Sequence, residues 1–413
     1  MKKRLLVYAH YFYPDVASTG QLLTELCEGL QDKFDITVIC VVPSYGGKVE
    51  PKYKVKKFFK EKYKNINLIR VRVPNFNKQN KLSRVKNIIA YFINSVIATF
   101  KIGNQDIIFS ISQPPILGGL LGAIGKRIKR AKFIYNIQDF NPEQSEAIGY
   151  AKNKLIVTVA RAIDNFNCKE SDNVVVVGRD MKETLQKRFK GKNVPKNVVI
   201  NNWIDEKLIY PLDKNHPRVL EFKKKYGLGN KFIFMYSGNI GLYYDLENII
   251  KVIGKFKDKD DIVFAFVGEG TMKKTLVEYV EENELQNVKF IPYQKKEDLI
   301  YSLNAADVHI VANADGIKGI SVPSKVYGVM AVRKTVLGIL EEGSEARLLL
   351  EEYKCSICCL PKDYSSLQSI ILRIIEDKEH FLNIGLDSSY PLSALYSKSK
   401  SVDKYRKLIS NFV

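Results

Sequence analysis

Lys231-Phe232-Ile233-Phe234-Met235-Tyr236-Ser237-Gly238-Asn239-Ile240-Gly241 decides the fold. An unbroken apolar run ends abruptly in a turn with two glycines around Asn239. A run without polar alternation suits a parallel strand buried on both faces. The same pattern recurs downstream, first at Ile262–Gly268, which continues as Glu269-Gly270. It returns at Val288–Tyr293, Asp307–Ala312, Thr335–Leu340 and Cys355–Leu360, with longer amphipathic stretches between. Strand–helix alternation of this kind predicts a doubly wound α/β sheet.

Upstream the alternation appears again, at Leu5–Ala9, Asp35–Val41, Asn67–Val73, Asp106–Ser112, Lys132–Asp139, Asn173–Gly178 and Asn197–Asn201. Two such series predict two Rossmann-like domains, and 413 residues suit two cores better than one. The join falls in Asn202–Arg218, where Pro211 and Pro217 bracket polar residues. The expected domains are 1–202, 203–390 and a C-terminal amphipathic segment, 391–413, that packs back on the first domain.

Charge divides the halves. Residues 1–200 hold 35 Lys and Arg against 16 Asp and Glu, whereas residues 201–413 hold 30 against 29. A net charge of +19 in one half and +1 in the other points the first half at an anionic partner. No apolar run reaches the roughly 20 residues that span a bilayer. Leu5–Ala9 is too short for a secretory core and is followed at once by Tyr, Pro and Asp. A cytoplasmic protein, peripheral on the inner face of the cell membrane, is therefore expected. Of six cysteines, Cys355, Cys358 and Cys359 cluster as metal ligands do, yet Ser356, Ile357 and Leu360 around them read as a strand. Thiols serving as small apolar groups fit better, and no metal is expected.

Open α/β sheets bind ligands beyond the carboxyl ends of their strands, which makes the turns after strands informative. Tyr11-Phe12-Tyr13-Pro14 and Ser18-Thr19-Gly20 follow the first strand, and Gly20 lets a substrate approach the backbone. Gly238, Asn239 and Gly241 form a turn whose amides suit a pyrophosphate. Gly268 and Gly270 form the next such turn, and Tyr293 follows the third strand of that series, placed to lie by a base or, equally, to serve as an interface aromatic. Ser321-Val322-Pro323-Ser324-Lys325-Val326-Tyr327-Gly328 enters a helix, with Pro323 and Ser324 suited to its start. Lys325 there is a cation at the electropositive end of a helix, a placement that wants an anion. Gln138-Asp139-Phe140-Asn141-Pro142-Glu143 carries two carboxylates, suited to orienting a sugar hydroxyl or to acid–base work; ordinary turn chemistry explains them as well.

In this order the motifs resemble family 4 glycosyltransferases of the GT-B type, closest to the WbuB-like subgroup known for fucosaminyltransferases. The resemblance also uses Asn201-Asn202-Trp203-Ile204-Asp205 at the hinge and is most specific from Ser321 to Gly328. It implies two facing Rossmann-like domains with a cleft between them. A nucleotide-activated sugar, UDP-linked, would sit mainly on the second domain, and the acceptor on the first. It further implies retaining, metal-independent transfer of an N-acetylated deoxyhexosamine to a polyprenyl-pyrophosphate-linked glycan, in capsule, O-antigen or exopolysaccharide assembly. The site residues would be Asp139, Glu143 and Lys325 for catalysis. Gly20, Gly238, Asn239, Gly241, Gly268, Gly270, Tyr293, Ser321, Pro323, Ser324, Lys325 and Tyr327 would bind the donor. The chain departs from the wider family at Ile320 and Gly328, where a glutamate pair is usual, and at Asn239 and Tyr244, where Arg and Lys are usual. Lys325 is the expected replacement for the missing cations.

Lys48–Lys64 mixes eight lysines with Tyr53, Phe58, Phe59 and Tyr63, and Ile88–Phe100 and Leu117–Ile124 are apolar but short. Cations among aromatics suit an anionic inner leaflet; a solvated loop and two core helices account for the same residues. A nucleotide-sugar epimerase or hydrolase on the same fold is the competing enzyme. A basic nucleic-acid-binding protein is the competing binder, but the phosphate-type turns lie in the neutral half, so no nucleic acid partner is expected.

Overall fold

Valine- and isoleucine-rich runs form the strands, because β-branched side chains fill a pleated surface buried on both sides. The computed structural model describes residues 2–15, 17–44, 49–74, 81–147, 149, 153–386 and 396–412. Residues 391–395 of the expected C-terminal segment, and Lys48 of the lysine run, lie outside the described residues. The chain divides into two units, residues 1–201 with 399–413, and residues 202–398.

The first unit carries β1 (Lys3–Tyr8), α1 (Ser18–Leu30), β2 (Phe34–Val41), β3 (Phe58–Tyr63), β4 (Ile66–Val71), α2 (Lys81–Lys101) and β5 (Ile107–Ile111). It continues with α3 (Leu117–Lys129), β6 (Lys132–Ile137), α4 (Asn141–Ala147), α5 (Lys154–Glu170), β7 (Asn173–Val176), α6 (Arg179–Arg188) and β8 (Asn197–Val199). The sheet order is β3-β4-β2-β1-β5-β6-β7-β8. Every pairing is parallel except β3 with β4. β3 limits the alternative reading of Lys48–Lys64 as a solvated loop, since Phe58–Tyr63 is a strand. Its Lys60 and Lys62 are exposed on an edge strand, where charge blocks pairing with another chain. Its Glu61 accepts from Arg70 Nε at 2.6 Å and from the Tyr53 hydroxyl at 2.7 Å.

Leu117–Ile124 forms most of α3, and its glycines explain its apolar character. A Cβ on Gly118 would lie 2.1 Å from the Ile111 carbonyl oxygen, and one on Gly122 2.2 Å from the Phe133 ring. α3 therefore lies unusually close to the sheet, and only hydrogen fits between. Gly122→Ala is predicted to lower stability by about 1–3 kcal/mol despite alanine's better helix propensity, because Phe133 and Ser110 must move. Urea unfolding measures it; a stabilised variant would contradict the packing.

The second unit carries α7 (Pro217–Lys225), β9 (Phe232–Ser237), α8 (Leu246–Gly254), β10 (Ile262–Val267), α9 (Lys273–Glu282), β11 (Val288–Ile291) and α10 (Leu299–Ala305). β12 (Val308–Ala312), α11 (Lys325–Ala331), β13 (Thr335–Ile339), α12 (Glu345–Glu352), β14 (Ser356–Cys359), α13 (Tyr364–Glu376) and α14 (Lys378–Leu386) follow. Its sheet is parallel throughout, in the order β11-β10-β9-β12-β13-β14. The order reverses at β9 and β12, so their carboxyl ends flank the switch point where such sheets take ligands. Cys355 and Cys359 are buried around β14, and burial pushes both thiols up to about 12. They are core groups rather than reactive ones.

α15 (Lys398–Ser410) ends the described chain. Within the first unit, Asn136 Nδ2 donates to the Tyr405 hydroxyl at 2.6 Å and Arg406 donates to the Gly29 carbonyl at 2.7 Å. A Cβ on Gly29 would meet Val402 at 2.6 Å, so α1 and α15 touch closely.

Candidate functional site

The site in the second unit begins where β9 stops. Gly238 has φ +146° and Gly268 has φ +148°, conformations that side chains resist. Gly238 N donates to Val267 O and Ile240 N to Glu269 O, each at 2.9 Å. The two turns are thus bonded to each other. A Cβ on Gly268 would lie 1.9 Å from Gly238 O, and one on Gly270 would lie 2.0 Å from Ile240 O. The chain itself fills the space that the missing side chains of Gly268 and Gly270 leave. The amides of Gly238 and Ile240 are likewise committed. Asn239 is exposed and Gly241 buried in the same turn.

Lys325 opens α11 and reaches back to this turn. Its Nζ stands 3.6 Å from the centroid of Tyr236 and 4.1 Å from that of Tyr244. A Cβ on Gly238 would lie 3.3 Å from Lys325 Cε, so the glycine makes room for the lysine stem. The side chain is partly exposed as a whole, but Nζ is buried and has no hydrogen-bond acceptor among the described residues. Two aromatic faces supply about 2 kcal/mol or more to a desolvated cation. Desolvation of an ammonium costs several kcal/mol, and the larger effect wins. Burial accordingly holds the Lys325 amine well below the ordinary lysine value.

The surroundings are rigid. The Tyr236 hydroxyl donates to Asn239 O at 2.7 Å, and Ala314 N donates to Tyr243 O at 2.8 Å, tying the turn to the end of β12. Ser324 occupies the N-cap of α11, but its backbone is helical and its side chain makes no capping bond, contrary to expectation. α11 has only seven residues, so the side chain of Lys325 matters more there than the helix dipole.

The other expected residues are placed as follows. Ser321 is half-buried and Pro323 buried just before α11, and Tyr293 is 58% exposed after β11. Tyr327 is a core residue, fully buried, with its ring 5.9 Å from that of Tyr396. Gly20 lies within α1, and the Tyr11 carbonyl oxygen sits 3.0 Å from where its Cβ would be, so the backbone takes the room expected for a substrate. Asp139 is half-buried in the first unit, and Gln144 Nε2 donates to its Oδ1 at 3.4 Å.

Glu143 is corrected from catalyst to framework. Its Oε1 accepts from Arg161 Nε at 3.0 Å and from Arg188 Nε at 2.9 Å. Arg188 also binds the buried Asp164 at 2.6 Å, and Asp164 accepts from the Tyr135 hydroxyl at 2.7 Å.

Sequence reading missed the partners of Lys325. Tyr236 reads as the last apolar residue of a strand, and Tyr244 as an absent cation. It also missed His10, just past β1. His10 Nε2 faces Asn87 Oδ1 at 3.2 Å, and burial lowers its pKa to about 4, which keeps the imidazole neutral at pH 7.

With this geometry in place, comparison with known proteins defines the class. Residues 219–385, within the second unit, match the family model described as glycosyl transferases group 1. WbjE of Pseudomonas aeruginosa, named as a glycosyltransferase, is 26% identical over 416 residues, covering 97% of this chain and 96% of that one. WcaI of Escherichia coli K12, named for colanic acid biosynthesis, is 27% identical over 248 residues, covering 58% and 59%. Sucrose-phosphate synthase from Thermosynechococcus elongatus superposes with a TM-score of 0.76 at 14% identity, over 99% of this chain and 100% of that one. HepE of Anabaena, in its complex with UDP-glucose, gives 0.70 at 14% identity over 99% of both chains. The fold is GT-B.

The Lys325 amine predicts a proton linkage. Its folded pKa lies below its unfolded one, so the unfolded chain holds the proton more firmly. The group's contribution to stability rises with pH between the two values. A bound diphosphate favours the charged form and raises the folded pKa again. UDP binding is therefore expected to take up a proton, and affinity to fall as pH rises between the free and bound values. Titration calorimetry in buffers of differing ionisation enthalpy reads the uptake directly; Lys325→Met should abolish it. Equal proton counts for both proteins would contradict the assignment.

Proposed function

We propose that the chain transfers a sugar from a UDP-sugar donor to a lipid-linked glycan in bacterial surface-polysaccharide assembly, as a retaining enzyme of family 4. The observation that carries the reading is the buried Lys325 amine, held between Tyr236 and Tyr244 beside Gly238 with no acceptor among the described residues. A buried amine of this kind, at the switch point of a parallel sheet, suits a ligand whose paired negative charge favours its protonated form. Neighbours solved with UDP and UDP-glucose, and one relative named for colanic acid biosynthesis, support the donor and the pathway class.

In this reading Lys325 meets the diphosphate, and no metal is needed to neutralise it. As the bond to the sugar breaks, charge grows on the departing phosphate. An ammonium already desolvated and aimed there stabilises that charge more than water would. Gly238 and Ile240 have committed their amides, which leaves the side chain to carry more of the task. The departing phosphate then takes the acceptor proton on the same face. The donor sugar is an N-acetylated deoxyhexosamine, the acceptor a polyprenyl-pyrophosphate-linked glycan, and the enzyme works at the inner face of the membrane.

A charge-assisted contact supplies roughly 1.5–3 kcal/mol, so Lys325→Ala is expected to weaken UDP binding about tenfold or more in a chain that remains folded by circular dichroism. Unchanged affinity would discard the role. Transfer of labelled sugar into an organic-extractable product is the second expected result. Donor turnover without any lipid acceptor would favour a hydrolase or epimerase instead.

A further inference from the structure

α2 has two opposed apolar faces. Tyr91, Ala98, Ser95 and Thr99 are buried against the first unit. Leu82, Val85, Ile89, Ile93, Ile97 and Phe100 are exposed, spaced by three or four residues along 21. At 1.5 Å per residue that is one apolar stripe about 30 Å long. Isolated exposed leucines need no explanation, but a contiguous stripe does. α5 repeats the arrangement, with Leu155, Ile156, Val159 and Phe166 exposed. α3 packs against both α2 and α5, so the three helices form one layer on one side of the sheet, and their outward faces point the same way.

The charge on α2 and α3 has one sign, whereas α5 also carries Asp164 and Glu170, the latter paired with Arg127. α2 and α3 contain Lys81, Arg84, Lys86, Lys101, Lys126, Arg127 and Lys129 and no Asp or Glu. Beside α2, a cavity of about 520 Å³ is lined by Lys54, Lys57, Arg72, Val73, Pro74, Ala90 and Asn94. Arg72 donates to the Lys54 carbonyl, and its own amide donates to Lys57 O at 2.9 Å, which gathers the three cations. Among the described residues none of the three has a carboxylate partner. No described helix is long and apolar enough to cross a membrane, so α2 suits lying on a bilayer rather than spanning it.

We propose that the α2–α5 face docks on an anionic phospholipid surface. The apolar stripes enter the boundary between headgroups and acyl chains, and the Lys54–Lys57–Arg72 cavity takes a lipid phosphate. Arg84 and Lys86 of α2, both exposed, add cationic charge for the headgroup layer. A second copy of the chain fits this surface poorly, because pairing two such faces would bring two sets of like charges together. The inference rests on the membrane-peripheral part of the proposed function and not on the donor site.

Flotation of the full chain with phosphatidylglycerol-containing vesicles tests it, with phosphatidylcholine vesicles alongside. The expected result is salt-sensitive binding to the first and little to the second. Ile89→Ser/Ile93→Ser, Leu155→Ser/Val159→Ser and Lys54→Glu/Lys57→Glu should each weaken binding about tenfold or more. Reversing Lys274 and Lys289 of the second unit should not. UDP affinity should be unchanged in all of them, which separates failure here from failure of the donor assignment. Three results would overturn the proposal: no vesicle binding by the native chain, native-like binding by the variants, or a dimer that Ile93→Ser dissociates.

Discussion

One buried amine between two tyrosine rings stands at the carboxyl end of the second unit's sheet, and the proposed donor site depends on it. Lys325 Nζ sits over Tyr236 and Tyr244 with no hydrogen-bond acceptor among the described residues, and burial depresses its pKa. Such an arrangement is unfavourable in isolation, since two aromatic faces do not replace water around a full charge. The neighbouring backbone is shaped to permit it. Gly238 leaves room for the lysine stem, and Gly268 and Gly270 let the adjoining turn close under Gly238 and Ile240. Strain and desolvation of this kind concentrate where a ligand later relieves them.

Much of this fold was legible in the sequence for a physical reason. Parallel strands buried on both faces need long apolar runs, and Ile262–Val267 or Lys132–Ile137 cannot be read otherwise. β3 escaped because an edge strand carries lysines on its open face, and a lysine-rich run looks like a loop. The purpose of α3 was ambiguous because apolar residues with glycines suit a membrane and a tightly packed core equally. Only the distances to Phe133 and Ile111 decide between them.

The site was half legible. Lys325 stood out as a cation at the wrong end of a helix. Its partners did not, because a cation–aromatic contact joins residues from β9, the turn after it and α11, about 80 to 90 positions apart in the chain. The glycine motifs carry a second, structural reason for being glycine that the sequence does not announce. Gly20, Gly268 and Gly270 each stand after a strand, as phosphate-binding glycines do, yet each gives its space to the protein's own backbone. Glu143 misled for a similar reason, since a carboxylate in a turn does not announce that Arg161 and Arg188 will hold it.

A structure of the complex with UDP tests the central claim most directly. The account predicts Lys325 Nζ at about 2.7–2.9 Å from a phosphate oxygen, with Tyr236 and Tyr244 still flanking it. UDP bound elsewhere, or bound there with Nζ out of hydrogen-bonding reach of every phosphate oxygen, would contradict it.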